Sequence, residues 1–252
     1  MSNNKTYKIL KFILPIWSLI SAIMCAVAFK YGFDRDIGYF TSSPLPYVFY
    51  ATIIIAIAIS VIAAIKSVTD TEKKECDRSV MAIIMALAFA FYLVSFLLTK
   101  RPAYLTFPMY ALIIFCALVS IVHFLIIAFA KSSSSSLKIF TGFAAVLAPI
   151  LIATASYFDH SQTLNSPYKL LFEFGCASFA LYYITELRVY TPAPRRRMIV
   201  AISGICTTVT LCAGVAKMFE IMYASTPSLL NISSAILFAA MASCATSKLL
   251  ES

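Results

Sequence analysis

Hydrophobic residues form eight long stretches that are separated by short polar segments. A helix needs roughly 20 mostly apolar residues to cross a hydrocarbon core about 30 Å thick. Apolar positions continue all round each stretch and do not alternate with period two, which favours helices over barrel strands. The pattern predicts an all-α, polytopic membrane helix bundle. Its eight predicted spans are Ile9–Phe29, Pro46–Ile65, Val80–Leu98, Leu105–Phe129, Ile139–Tyr157, Tyr168–Leu187, Met198–Ala216 and Ser228–Ser247.

The last two spans are rich in small residues. Helices in a membrane pack through small side chains that allow close approach, so we expect both spans to lie centrally in the bundle. A polar pathway lined by their hydroxyl groups is the alternative. The residues in question are Ser203, Gly204, Thr207, Gly214, Ser233, Ser234, Ala239, Ala240 and Ser243.

The cations predict the orientation of the chain, because Lys and Arg collect in cytoplasmic loops. With the N-terminus inside, fourteen of the twenty Lys and Arg residues fall in inner segments. Eight spans then place both termini in the cytoplasm. We expect a multi-pass protein of the bacterial cytoplasmic membrane.

Composition agrees with this prediction and narrows the function classes. The chain of 252 residues is 61% hydrophobic and only 12% charged, with a net charge of +9. A soluble enzyme would carry about twice that charged fraction. The cations are dispersed among short loops, so they indicate contact with anionic headgroups rather than nucleic acid. No loop is long enough to form its own core, which predicts a single membrane domain over residues 1–252.

A serine run at residues 132–136 separates two halves, 1–131 and 137–252, that show a faint internal similarity. Phe33-Asp34 follows the first span as Phe158-Asp159 follows the fifth, and a Ser-Pro pair precedes both the second and the sixth span. Four helices is an even number, so a duplicated unit would insert twice in the same orientation. The pattern predicts two parallel four-helix repeats, with chance similarity as the alternative.

Few ionisable residues lie inside the spans, and each is a functional hypothesis because such residues are expensive in hydrocarbon. Glu173 is the main candidate for binding a proton, an ion or a small solute, with Lys217 or Lys169 as its neighbour; a structural salt bridge is the alternative. We expect His123 to be a packed histidine that bonds to a neighbouring helix.

Outer loops supply further candidate residues. Asp34 and Asp159 would approach each other if the halves pack symmetrically, and Asn231 could line the same outer cavity. Zincin, nucleophile-elbow, Walker A and dinucleotide motifs are not found in the sequence. We therefore expect no cofactor and no bound metal.

The segment YGFDRDIGYF, from Tyr31 to Phe40, leads into Ser43-Pro44. It resembles a loop of uncharacterised bacterial multi-span membrane proteins, in which an aromatic-Asp-x-x-Ile-Gly-aromatic-Phe element follows the first helix. The resemblance implies a multi-span membrane protein and no particular activity. Eight spans are also similar in number to those of the lysoplasmalogenase-like enzymes, a likeness of fold alone.

These observations predict a small-solute or ion transporter with a permease-like fold, in contact with the lipid bilayer. Two alternatives stay open. One is a non-catalytic membrane accessory protein. The other is a membrane-embedded lipid hydrolase that uses carboxylates for its chemistry. The sequence does not decide the oligomeric state.

Overall fold

Eight helices that are long and apolar enough to cross a membrane are present in the part of the chain that the structure describes, which confirms the predicted helix bundle. The structure is a computed structural model that describes residues 2–67, 79–130, 133–159, 163, 166–190, 196–224 and 228–251. The chain is thus a multi-pass membrane protein. Its helices are α1 (Ser2–Gly32), α2 (Leu45–Lys66), α3 (Ser79–Leu98), α4 (Phe107–Phe129), α5 (Ser135–Tyr157), α6 (Pro167–Leu187), α7 (Arg196–Tyr223) and α8 (Leu229–Glu251).

Helix α7 is longer than the sequence pattern predicts. The seventh span was expected to end at Ala216, whereas the helix continues to Tyr223 and has 28 residues. Lys217 and Glu220 therefore lie within its last two turns and not in a loop. The two side chains form an ion pair at i,i+3 spacing, which compensates their charges and lets the helix continue.

A short β-hairpin follows α1 and is the only strand pair among the described residues. Its strands are β1 (Phe33–Asp34) and β2 (Tyr39–Phe40), which pair in antiparallel register. The Asp34 carboxylate accepts hydrogen bonds from the backbone N–H groups of Asp36 and Ile37, at 2.9 and 3.3 Å. Gly38 closes the turn with a φ of 79°, a conformation that glycine adopts without a Cβ clash.

Six of the helices pack as a ring, and the other two form a pair outside it. Helices α3 to α8 form a closed ring, because each packs against the next and α8 returns to α3. Helices α1 and α2 pack against each other and both pack against α7. Helix α7 therefore contacts α1, α2, α6 and α8, which confirms the prediction that the seventh span lies centrally.

The two ends of the bundle are distinct. We call one the termini end, where Tyr7 of α1 and Leu249 of α8 share a small buried cluster with the end of α2 and the start of α7. The other is the hairpin end, which carries β1 and β2. Between them the ring is filled by one continuous apolar core that includes Phe89, Phe179 and Met241.

Hydroxyl groups on α7 are buried and donate within their own helix, and the polar pathway that the sequence left open stays a prediction. Ser203 and Thr207 are buried, and they donate to the carbonyls of Ile199 and Ser203 in their own helix, at 2.6 and 2.9 Å. A hydroxyl that bonds the preceding turn satisfies itself without water. These residues therefore serve close packing.

Glycine allows a close approach of three ring helices at Gly175 of α6. A Cβ at this position would lie 2.6 Å from the Phe238 ring and 2.8 Å from the Ala213 Cβ. At Gly214 of α7, the nearest atom to such a Cβ would be 3.5 Å away. The two glycines are thus a tight and a roomy position at the junction of α6, α7 and α8.

We predict that Gly175→Ala lowers the free energy of unfolding by about 1–3 kcal/mol, since an overpacked core forces neighbours to shift. Gly214→Ala is the matched control and leaves stability unchanged or slightly higher, because alanine is the better helix former. Thermal unfolding of both variants in the same detergent measures the difference. Equal melting temperatures for the two variants would contradict the packing described here.

Candidate functional site

Three polar side chains meet at the hairpin end, where α7 approaches α8. The Glu220 carboxylate accepts from Lys217 Nζ at 2.7 Å through Oε2 and from Asn231 Nδ2 at 3.2 Å through Oε1. The Lys217 and Glu220 side chains are only 12% and 15% exposed. We call Lys217, Glu220 and Asn231 the polar triad. Two of its members, Lys217 and Asn231, were predicted site residues, and the structure brings them together through Glu220.

Glu173 lies about 9 Å along α6 from its first residue, at about 1.5 Å per residue. Its Oε1 atom is buried and has no hydrogen-bond partner within the described part of the chain. The expected neighbour Lys217 pairs with Glu220 instead, and its ammonium lies 4.7 Å from the ring centre of Phe172, the residue before Glu173. The polar triad thus contacts α6 at Phe172, and the Glu173 carboxylate does not join it.

Lys169, one turn from Glu173 on α6, is buried with only 2% of its surface exposed. Its ammonium donates to the backbone carbonyls of Tyr157 and Asp159, both at 2.8 Å. A cation at this position complements the carbonyl groups at the C-terminal end of α5. Lys169 therefore joins α6 to α5, and its hydrogen bonds are directed away from Glu173.

The two predicted aspartates lie in separate structural settings. Asp34 caps the β-hairpin turn, as described above. Asp159 follows α5, and its backbone carbonyl is one of the acceptors of Lys169. Tyr104, in the loop between α3 and α4, lies close enough to Asp159 to be affected by its charge. Burial and, to a smaller extent, that carboxylate raise the pKa of Tyr104 to about 12.

Aromatic rings pack beneath the hairpin and beside the polar triad. Tyr168, in the first turn of α6, stacks on Phe29 with ring centres 4.6 Å apart. Its hydroxyl is buried and has no hydrogen-bond partner among the residues described. The Arg35 guanidinium lies 3.6 Å from the ring centre of Tyr223, at the end of α7. This cation–π contact holds the hairpin over the end of α7.

His123 is a packed histidine that bonds neighbouring helices, as predicted. Its Nδ1 lies 2.8 Å from Thr141 Oγ1 of α5, and its Nε2 lies 2.6 Å from Tyr183 Oη of α6. Thr141 donates its own hydrogen to the Leu137 carbonyl. Nδ1 must therefore be the donor to Thr141, so in a neutral ring Nε2 accepts from Tyr183.

Sequence reasoning placed Glu220 in a loop and did not recognise it as the centre of the triad. A signal was present, because the apolar residues Met218, Phe219, Ile221 and Met222 continue the helical pattern around Lys217 and Glu220. The sequence pattern also gives no sign of the ion pair between Glu186 of α6 and Lys248 of α8, at 3.4 Å. Nothing in the sequence connects two residues so far apart. No three His, Cys, Asp or Glu side chains in the described ranges are grouped closely enough to hold a metal ion.

We predict that Lys169→Met lowers the free energy of unfolding by about 1–3 kcal/mol, because two backbone carbonyls at the end of α5 lose their donor. The control is Lys100→Met, which changes an exposed lysine near the same end and shifts stability by less than about 0.5 kcal/mol. Thermal unfolding in detergent compares the two variants. A loss at Lys169 no larger than at Lys100 would show that the α5 carbonyls do not need this ammonium.

A pH dependence follows from Tyr104. An unfolded tyrosine loses its proton near pH 10, whereas the folded protein keeps it until about pH 12. Between these values the unfolded state binds fewer protons, so stability falls as the pH rises. The melting temperature of the wild type should therefore drop more steeply than that of Tyr104→Phe from pH 10 to 12. If the melting temperatures of the two proteins fell in parallel over this pH range, the result would contradict the burial of the Tyr104 hydroxyl.

The chain matches no protein-family model, no curated protein and no solved structure. The roles of its residues therefore rest on the geometry of the molecule.

Proposed function

We propose that the protein is a small-solute or ion transporter with a permease-like fold, in which Glu173 is the carboxylate that binds a proton or another small cation. The observation that carries this proposal is the buried Oε1 atom of Glu173, which has no hydrogen-bond partner among the described residues. A bound cation stabilises a carboxylate in that position more than it stabilises one that already has an ion-pair partner.

The surroundings of Glu173 support a site open to cations. The two nearest lysines direct their ammonium groups elsewhere, Lys169 to backbone carbonyls and Lys217 to Glu220. Neither lysine neutralises Glu173 by an ion pair. The half-buried polar triad then supplies a polar approach from the hairpin end, which the cation distribution predicts to be the outside.

A different observation favours a second candidate, a non-catalytic membrane accessory protein. Helices α5 and α6 run unbroken through Pro149 and Gly175, whereas a transporter of the expected type would have discontinuous helices there. In addition, Gly175 is packed tightly against Phe238. The lipid-hydrolase alternative stays a prediction, and no contact between the described residues favours it.

Ion flux across the membrane of lipid vesicles, with this protein as their only protein, tests the proposal. Proteoliposomes carry a trapped pH-sensitive dye, and a potassium gradient with valinomycin makes the interior negative. We expect protons to enter faster than in protein-free vesicles, and Glu173→Gln to reduce the rate to that of protein-free vesicles. The neutral isostere keeps the shape of the side chain and removes its charge.

Asp36→Asn is the matched control, since it makes the same chemical change at an exposed position of the hairpin end. It should retain the wild-type rate. Equal rates for wild type and Glu173→Gln would contradict the assigned role of the carboxylate. A wild-type rate equal to that of protein-free vesicles, with sodium as well as with protons, would favour the accessory candidate.

A further inference from the structure

A second polar feature lies at the termini end, on the opposite side of the bundle from Glu173. There a partly open cavity of about 40 Å³ lies between α3, α4, α6 and α8. One water molecule needs roughly 10–15 Å³ of such volume. The cavity therefore has room for about three waters, or for one ion of similar size.

A buried ion pair lies at this cavity. Glu186 Oε1 and Lys248 Nζ face each other at 3.4 Å, and their side chains are 6% and 13% exposed. Glu251 also lines the cavity, and its carboxylate accepts a hydrogen bond from Ser247 Oγ at 3.0 Å. The wall of the cavity therefore carries two carboxylates beside one ammonium group.

Aromatic rings form the inner wall of the cavity, which is lined by Phe124, Tyr182 and Tyr183. The rings of Phe124 and Tyr183 pack edge to face, with centres 5.3 Å apart. Tyr183 is further held by His123, at 2.6 Å. A rigid aromatic wall beside a carboxylate is the chemistry that recognises ammonium ions. A calcium or magnesium ion would instead require six or more oxygen ligands.

We propose that this cavity binds a small primary ammonium ion, with Glu186 as its counter-charge and the three rings as its wall. Lys248 is itself a primary ammonium ion, and its ion pair with Glu186 shows that the site accepts this group. Lys248 lies in the last turn of α8, where a long side chain can extend toward the headgroups or solvent. A free ammonium ion can then take the place of its tethered ammonium. The small cavity limits the ligand to the size of ammonium or methylammonium.

This site is separate from Glu173 and does not depend on the proposed transport. Its test is thermal unfolding of the full chain in detergent with methylammonium chloride as the probe and sodium chloride at equal ionic strength as the reference. A thiol-reactive dye reports unfolding, because five of the described cysteines are buried in the folded protein. At a methylammonium concentration ten times its dissociation constant, the folded-to-unfolded ratio should rise about elevenfold.

The variants separate a site from a general salt effect. Glu186→Gln should abolish the stabilisation by methylammonium. Lys248→Met should shift the stabilisation to lower methylammonium concentrations, because the competing ammonium is gone. Asp36→Asn, an equivalent change at the hairpin end, should respond like the wild type. Tetramethylammonium should not stabilise any of the proteins, since it exceeds the cavity.

Several results would overturn the proposal. An effect of methylammonium on the wild type equal to that of sodium excludes the assigned counter-charge. An effect of methylammonium that persists in Glu186→Gln excludes it as well. If Glu186→Gln fails to fold, Lys248→Met decides the matter, and an unchanged concentration dependence in that variant refutes competition at Glu186. Stabilisation by tetramethylammonium equal to that by methylammonium would refute the cavity as the binding place.

Discussion

The structure depends on one constraint: hydrocarbon offers no hydrogen-bond partner, so polar groups between the two ends must be satisfied within the protein. Thr210 of α7 shows the general solution, because its hydroxyl donates to the Cys206 carbonyl of its own helix at 2.6 Å. Ser18 and Thr208 show the second, a hydrogen bond of 2.8 Å that joins α1 to α7. Polar residues satisfied in these ways leave a helix surface that packs like an apolar one. Helix α7 can therefore carry many hydroxyl groups and still contact four neighbours.

The same constraint explains why most of the buried charged side chains in the described residues have a partner within the protein. Lys169 is bonded to the carbonyls at the end of α5, and Lys217 is paired with Glu220. Glu186 is paired with Lys248 at the other end. Unlike these charged groups, the Glu173 Oε1 atom has no hydrogen-bond partner among the described residues, and it lies on the helix that also carries Glu186. We therefore propose binding chemistry at the two ends of α6, with the apolar core of the ring between them.

Much of the fold could be predicted from the sequence, because the length of an apolar stretch is set by the membrane and needs no tertiary information. Eight helices and the central place of α7 follow from hydropathy and small residues. The end of α7 could not be placed by hydropathy alone, since Lys217 and Glu220 resemble a loop until their pairing is known. The partners of Lys169 and Lys248 depend on which helices are neighbours, and the sequence does not encode this locally. The duplication of residues 1–131 and 137–252 stays a prediction. Helices α1 and α2, outside the ring, both contact α7, whereas the described residues show no equally close pairing of α5 and α6 with α3.

The central claim is that the partly buried carboxylate of Glu173 exchanges a proton or another small cation. Infrared difference spectroscopy of the protein in lipid bilayers tests it most directly, by comparing spectra at low and high pH for the wild type and Glu173→Gln. The account predicts a carboxyl band that changes with pH in the wild type and is missing from the variant. Difference spectra with the same carboxyl bands in both proteins would contradict it, because Glu173 would then bind no proton.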